Sequence, residues 1–163
     1  MISFDLRTHI VRPLRQVFQF VTTPENDFQW QYGTLASARL SQGAFGIGSI
    51  FRVLGHFLGE RMESIFEVTG FEPYRTYGFR SQSSPIFSST LYSLDMKGGT
   101  TELSLSVQMD PGESFKPGIA VTEKRLKKQY RENLSLLKDL LEATPVERPL
   151  QPSARVEQPQ ERR

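Results

Sequence analysis

Hydrophobic and polar residues alternate through the first ten positions of the chain. Ile2 and Phe4 fall on one face of an extended segment, and Asp5 and Arg7 fall on the other. Alternation with a period of two is typical of a strand with one buried and one wet face. The pattern predicts a first strand over residues 2–10.

Two short helices are predicted next. Residues 14–21 carry apolar side chains at helical spacing, after a proline at a position where a first helical turn tolerates it. Thr23-Pro24-Glu25 then has the composition of a second helix start, with Thr as the N-cap and an acid in the first turn. This second helix is expected to end near Trp30.

Six further strands are predicted between residues 34 and 110. Alternating apolar runs are separated there by Gly and Pro, and Gly98-Gly99 is the strongest hairpin signal. Short connections favour consecutive antiparallel pairing. The predicted strands are 34–41, 47–57, 60–71, 74–82, 86–95 and 100–110.

The last apolar pattern predicts a long amphipathic helix over residues 118–142. Apolar residues recur there every three or four positions. No helix of similar length precedes this one, so the sheet is expected to cover its apolar face. The face consists of Leu126, Tyr130, Leu134, Leu137 and Leu141, widened by Leu136 and Leu140.

The composition changes after the helix. Residues 144–163 are rich in Pro, Glu, Arg and Gln and contain few apolar side chains. Such a segment cannot bury enough apolar surface to fold, so it is predicted to be a disordered tail. One domain is expected over residues 1–143.

Three stretches match a known family pattern. Residues 59–75 contain V-T-x-F-x-P at the turn between the fourth and fifth strands, Thr101 opens the last strand, and residues 133–142 carry N-L, L-K and L-E pairs. With the order of elements, these resemble the helix-grip fold of the START-like superfamily, also called SRPBCC or polyketide cyclase/dehydrase-like, over residues 2–142. The resemblance implies an α+β fold in which a curved seven-stranded antiparallel sheet wraps around the C-terminal helix, with two short helices after the first strand.

A strongly curved sheet cannot lie flat against one helix along its whole length, so a cavity is expected between them. Its lining would be mostly apolar and would suit a hydrophobic or aromatic small molecule. The alternative is that the same side chains simply fill the core. The residues predicted to bind the ligand are Trp30, Phe51, Met62, Phe66, Tyr77, Phe79, Tyr92, Tyr130 and Leu134.

The two histidines are the first candidates for acid–base chemistry. His9 falls on the polar face of the first strand and is expected in solvent. His56 is expected at a surface rim rather than in a pocket mouth. Neither has a partner at metal-ligand spacing, so the sequence predicts no metal site and no cofactor.

The charged residues predict that the outer face of the sheet and one face of the last helix are exposed to solvent. Acids and arginines on neighbouring strands predict cross-strand ion pairs, with Arg80 as the candidate for binding an anion at a cavity entrance. The basic run 124–128 is interpreted as a solvated helix face, with contact to a membrane surface or an acidic partner as the alternative. The strand residues concerned are Arg52, Glu60, Arg61, Glu63, Glu67, Arg75 and Arg80.

Composition narrows the class of protein. The chain has 163 residues, a net charge of +2 and no cysteine, which excludes disulfides and thiolate chemistry. The charge is too small to indicate nucleic acid binding. The first residues carry no signal-peptide pattern, and no apolar run is long enough to span a membrane, so a cytoplasmic protein is expected.

The leading hypothesis is therefore the binding of a hydrophobic small molecule (lipid, isoprenoid or polyketide-like) in the cavity. An enzyme of the cyclase/dehydrase kind is the alternative that the resemblance implies, with Tyr77, Tyr92, Tyr130 and His56 as candidate proton-transfer groups. An adaptor that uses the basic face of the last helix is the third. Peripheral membrane contact and the oligomeric state stay open.

Overall fold

The computed structural model describes residues 1–113 and 118–146. One strand, two short helices, six strands and one long helix follow each other in the predicted order. The strands are β1 Ile2–Ile10, β2 Thr34–Arg39, β3 Ile50–Phe57, β4 Glu60–Glu72, β5 Thr76–Ser83, β6 Phe87–Lys97 and β7 Thr100–Asp110. The helices are α1 Leu14–Val21, a 3₁₀ helix Pro24–Gln29 and α2 Ile119–Ala143.

The seven strands form one antiparallel sheet in the order β1-β7-β6-β5-β4-β3-β2. Strands β2 to β7 follow each other as a meander, and β1 pairs with β7 from Ile2 opposite Met109 to Ile10 opposite Thr101. The first strand therefore adds to the last one and extends the sheet that faces α2. The antiparallel sheet and the helix-grip fold predicted from the sequence are confirmed.

The glycine-rich segment before β3 forms a turn, so β3 begins at Ile50 rather than at residue 47. Gly48 has a φ of +89°, a left-handed conformation that favours glycine. The Ser49 N–H donates to the Gly46 carbonyl at 3.0 Å and closes the turn.

The apolar face of β7 is buried, as its alternation predicts: Leu103, Leu105, Val107 and Met109 all lie in the core. On α2 the predicted stripe is also inside, because Leu126, Leu134, Leu137 and Leu141 are buried. Leu140 packs at the edge of this core. The prediction for Leu136 is wrong, since it is 45% exposed; two residues beyond Leu134, its side chain points to the opposite side of the helix.

Irregular pairing bends the sheet in its long central strand. The register between β4 and β5 shifts at Ile65/Phe66 and again at Val68/Gly70. Bulges of this kind bend a strand and increase its twist. Residues of β3 and β4 face α2 across the cavity described below.

The C-terminal end of α2 is fastened to the end of β1. The Glu142 Oε1 accepts hydrogen bonds from the Val11 N–H at 3.0 Å and from the Lys138 Nζ at 2.6 Å. The Arg12 guanidinium donates to the Glu142 carbonyl and, at 2.9 Å, to the Thr144 carbonyl. These contacts fix one end of the helix against the sheet.

The predicted tail begins with residues that still contact the domain. Besides the Arg12 contact to Thr144, the Gln16 Nε2 donates to the Pro145 carbonyl at 3.1 Å. Residues 147–163 of the predicted tail lie outside the described residues, so the boundary at residue 143 stays a prediction. None of the helices in the described part of the chain is long and apolar enough to cross a membrane; the cytoplasmic location stays a prediction.

Candidate functional site

Aromatic rings fill one half of the space between the sheet and the helices. Phe51 stacks on Phe66 with ring centroids 5.4 Å apart and meets Phe79 edge-on at 5.2 Å. Tyr77 and Tyr92 stack at 6.1 Å, and Tyr92 meets Trp30 at 6.3 Å. These rings contact each other directly, and of them Phe66 also borders the cavity described next.

The other half contains a cavity of about 560 Å³. It lies between β3, β4, the β5–β6 connection and the first half of α2, and it reaches the surface beside the start of β2. Its apolar wall consists of Val53, Phe57, Leu58, Met62, Phe66, Ile86, Met109 and Leu126. The remaining lining is polar or glycine: Gln31, Tyr32, Gly33, Thr34, Gly55, His56, Gly59, Ser64, Ser84, Ser88, Arg125, Gln129, Tyr130 and Asn133.

The structure separates the predicted site residues into two groups. Met62, Phe66 and Tyr130 line the cavity. The others lie outside that lining, in the packed core: Trp30, Phe51, Tyr77, Phe79, Tyr92 and Leu134. Alternation along a strand predicts which face is buried. It does not predict where along that face the rings contact each other, so the predicted site residues include both the aromatic half and the cavity lining. Ligand binding by any of these residues stays a prediction.

Serine hydroxyls form one polar strip on the sheet wall. Ser64 and Ser84 share a hydrogen bond of 2.8 Å, and Ser84 Oγ also accepts from the Ile86 N–H at 3.2 Å. Ser88 lies on the same wall, opposite Met109 in the register of β6 and β7. The sequence prediction did not include these serines, although Ser88 shares the inward parity of Tyr92 on β6, which was a usable signal.

A second polar strip follows α2. Arg125, Gln129 and Asn133 are four residues apart, so they lie above one another on one side of the helix. All three line the cavity beside Leu126 and Tyr130. Arg125 is exposed, as the prediction of a solvated helix face requires, and it also borders the mouth of the cavity, which the sequence did not predict.

Asn133 joins α2 to the start of β2. Its Oδ1 accepts from the Tyr32 N–H at 3.1 Å and from the Gln129 Nε2 at 3.3 Å. A backbone N–H only donates, so the atom that Tyr32 meets is the amide oxygen. The Asn133 amide nitrogen therefore keeps its two N–H groups, with no acceptor among the described residues.

The cavity contains basic but no acidic side chains. Arg125 and His56 are part of its lining, and no Asp or Glu is among the described residues that line it. His56 is exposed at the mouth, so it occupies both the rim and the cavity entrance. In the described part of the chain no three potential ligands are arranged to hold a metal ion.

Burial keeps the inner tyrosines in their neutral form. Desolvation raises the pKa of Tyr130 to about 12. The pKa values of Tyr77 and Tyr92 are also raised, first by burial and then by the nearby charge of Asp27. At neutral pH these phenols are hydrogen-bond donors and acceptors and not bases.

Asp27 is a buried acid behind the aromatic half. It lies on the 3₁₀ helix, where its backbone carbonyl accepts from the Trp30 N–H at 3.2 Å and from the Gln31 N–H at 2.8 Å. Burial, and then the charge of Glu25, raise the pKa of its carboxyl well above the ordinary value of 3.8. The sequence analysis missed this group because a single acid in a first helical turn has the same pattern as an exposed capping residue.

The remaining charged candidates are at the surface. Arg80 pairs with Glu67 at 3.7 Å and is not part of the cavity lining, which does not favour the predicted anion contact there. Other cross-strand pairs include Arg52 with Glu63 at 3.4 Å. His9 is exposed, as predicted, and its ring contacts the Thr100 hydroxyl at 2.6 Å.

Comparison with known families decides the class of this fold. Residues 1–142 match the family described as polyketide cyclase/dehydrase and lipid transport. The chain belongs to this family. The START-like resemblance stated from the sequence is confirmed, and family membership supports hydrophobic ligand binding as the general function.

Several solved structures have the same fold at low sequence identity. A conserved protein from Geobacillus kaustophilus is 11% identical with a TM-score of 0.69, over 86% of this chain and 95% of that one. Ara h 8.0201 is 12% identical with a TM-score of 0.64, over 87% and 98%. The di-domain ARO/CYC protein BexL, from the BE-7585A biosynthetic pathway, is 16% identical with a TM-score of 0.66, over 85% of this chain and 46% of BexL. These likenesses show the fold alone; no protein of curated function matches the chain in sequence.

Proposed function

We propose that this family member binds a hydrophobic small molecule (a lipid, an isoprenoid or a polyketide-like compound) in the cavity between the sheet and α2. The observation that carries the proposal is the cavity of about 560 Å³ with eight apolar side chains in its lining. Sites for small molecules commonly have volumes of roughly 300–1,000 Å³ and mostly apolar linings. Apolar ligand surface buried there would contribute about 25 cal/mol for each Å² removed from water.

The contrast between the two halves of the interior supports binding over a simply filled core. In one half, Phe51 stacks on Phe66 and Tyr77 stacks on Tyr92. In the other half Met62 of β4, Ile86 of the β5–β6 connection and Met109 of β7 border the cavity. Protein interiors are normally packed to crystal-like density, so a space of this size has a cost in lost contacts that a bound ligand would offset.

A cyclase/dehydrase-like reaction in the same cavity is the second candidate. Of the proposed proton-transfer groups, His56 and Tyr130 line the cavity, whereas Tyr77 and Tyr92 belong to the aromatic half. Such a reaction needs one group that donates a proton and another that accepts one. The cavity offers His56 at its mouth, with no acidic partner in the described lining, and this favours binding as the primary role.

The adaptor function has less support. Arg125 of the basic run is exposed and borders the cavity mouth. Lys128 pairs with Glu132 at 4.0 Å, one turn along the helix. Lys124 stays exposed on the outer side. The side chains of the basic run therefore do not all face the same way on the helix.

The proposal is tested with a neutral fluorescent probe, N-phenyl-1-naphthylamine, whose emission rises on entering an apolar site. Ser88→Phe adds a ring from the cavity wall of β6. We expect it to weaken probe binding at least about tenfold by occupying the space. Met62→Trp is a second blocking variant, on β4.

The matched control is Ser93→Phe, which adds the same ring to β6 on the outward parity, where Ser93 is exposed. Its affinity for the probe should equal that of the wild type. The thermal midpoint of each variant, measured without probe, checks that it is folded. If the folded wild type fails to bind the probe, or if both blocking variants bind it as well as Ser93→Phe does, the proposal is wrong.

A further inference from the structure

On its polar side, the described part of the cavity lining carries positive charge and no negative charge. Its apolar wall is formed mainly by β3, β4 and the β5–β6 connection, and its ionic side by α2 and the mouth. Arg125 is the only Lys, Arg, Asp or Glu among the described residues of the lining, and the His56 imidazole lies at the same mouth. A neutral hydrocarbon would leave this side without a complement.

Arg125 is also available for a ligand. The arginines on the sheet pair with carboxylates, as Arg52 does with Glu63 and Arg80 does with Glu67. Arg125 has no carboxylate within ion-pair distance among the described residues. A guanidinium presents a planar set of N–H donors and no acceptor, a geometry that matches carboxylate and phosphate oxygens.

The neighbouring amide on α2 has the same bias. The oxygen of Asn133 is already occupied by the Tyr32 N–H and by Gln129, so only N–H groups remain for a ligand. Arg125 and Asn133 lie on the same side of the helix with Gln129 between them. Both free groups are donors, but they lie eight residues, or about 12 Å, apart along the helix. One small head group therefore contacts only one of them, and Arg125 is the one that carries charge.

We propose that the ligand of this cavity is an amphipathic anion, whose apolar body lies against the sheet wall and whose anionic oxygen head contacts Arg125 at the mouth. The inference rests on the proposed function and specifies its ligand class. A carboxylate and a phosphate monoester have the head-group chemistry that Arg125 recognises. Because Arg125 and His56 are both exposed, the head remains partly in water while the body is buried.

The experiment compares ligands that share one chain and differ in the head. Dodecanoic acid, dodecyl phosphate and 1-dodecanol, each below its critical micelle concentration, displace N-phenyl-1-naphthylamine from the wild type, from Arg125→Gln and from Lys124→Gln. Lys124 is the adjacent cation, exposed and outside the lining, so it controls for loss of one positive charge.

We expect at least one of the two anions to bind the wild type at least about tenfold more tightly than the alcohol, which corresponds to about 1.4 kcal/mol. The ratio should fall to near one in Arg125→Gln and persist in Lys124→Gln, whose affinity for the neutral probe should equal that of the wild type. Added salt should weaken anion binding and leave alcohol binding unaffected. The anion with the larger ratio identifies the head group.

Two results would overturn the inference while leaving the proposed function intact. One is equal displacement by both anions and the alcohol in the wild type. The other is a preference for the anions that survives in Arg125→Gln. If the wild type binds neither the probe nor the alcohol, the proposed function itself fails and the ligand class fails with it.

Discussion

At the scale of single residues, the interior contains one acid, Asp27, whose charged form is disfavoured by burial. Asp27 is 8% exposed, and burial raises the pKa of its carboxyl well above 3.8. Between the unfolded and the folded pKa values the native state holds a proton that the unfolded chain has lost. Stability therefore falls as pH rises through this window, by at most about 1.4 kcal/mol for each pH unit.

Asp27→Asn removes the titration and keeps the shape of the side chain. We expect the variant to be more stable than the wild type at pH 7 and equal to it near pH 3.8, the lower edge of the window. Urea unfolding at a series of pH values measures the difference. Asp95→Asn, at an exposed site on β6, is the matched control and should show no such trend. A constant difference between Asp27→Asn and the wild type at all pH values would contradict the prediction.

At the scale of elements, the contact of α2 with β1 depends on one carboxylate that serves two partners. The Lys138 hydrogen bond, then that of the Val11 N–H, lower the pKa of Glu142 below its ordinary value of 4.5. The stabilisation is present above that value and is lost as pH falls through the lowered folded pKa. Sequence periodicity predicted α2 but not this fastening, because Val11 and Glu142 are far apart along the chain.

Glu142→Gln keeps an oxygen that accepts from Val11 and removes the charge that Lys138 meets. Since the pair is partly exposed, we expect a loss of less than about 1 kcal/mol at pH 7. The loss should shrink as the pH falls below 4.5. Glu132→Gln is the matched control, because Glu132 also faces a lysine one turn away but has no contact to the sheet among the described residues. Equal losses in the two variants at pH 7 would show that the charge of Glu142 contributes no more than that of an ordinary exposed ion pair along the helix.

At the scale of the whole molecule, the two halves of the interior should respond differently to a ligand. The lining comes from segments that are distant in sequence, including 53–59, 84–88 and 125–133. A ligand that binds only when these segments are closed suppresses their opening by RT ln(1 + [L]/Kd).

Hydrogen exchange measures this response. With N-phenyl-1-naphthylamine at ten times its Kd, amides of the three segments that exchange through local opening should exchange up to about tenfold more slowly. Amides of α1, which is not part of the lining, should change much less. Protection spread uniformly over the chain would indicate global stabilisation, and protection confined to α1 or the aromatic half would indicate a binding site elsewhere.

The sequence by itself determined the fold. Alternation on β1 and β7, glycines at the turns and the leucine stripe of α2 each select a local structure whose buried face is encoded in residue spacing. Those faces leave one arrangement, a meander covering one helix, and the structure has it. The one exception on this helix, Leu136, also concerns only local structure, because Leu136 lies outside the buried stripe of the same helix.

Only the tertiary structure decided where the cavity is and which side chains line it. Phe51, Tyr77 and Tyr92 have the same inward parity as Met62 and Ser88, yet the first three fill space and the last two border it. The difference arises from sheet curvature, from the shifted register of β4 and from the position of α2, all of which depend on contacts between distant segments. Spacing along a strand specifies a direction, whereas a cavity is a volume between elements.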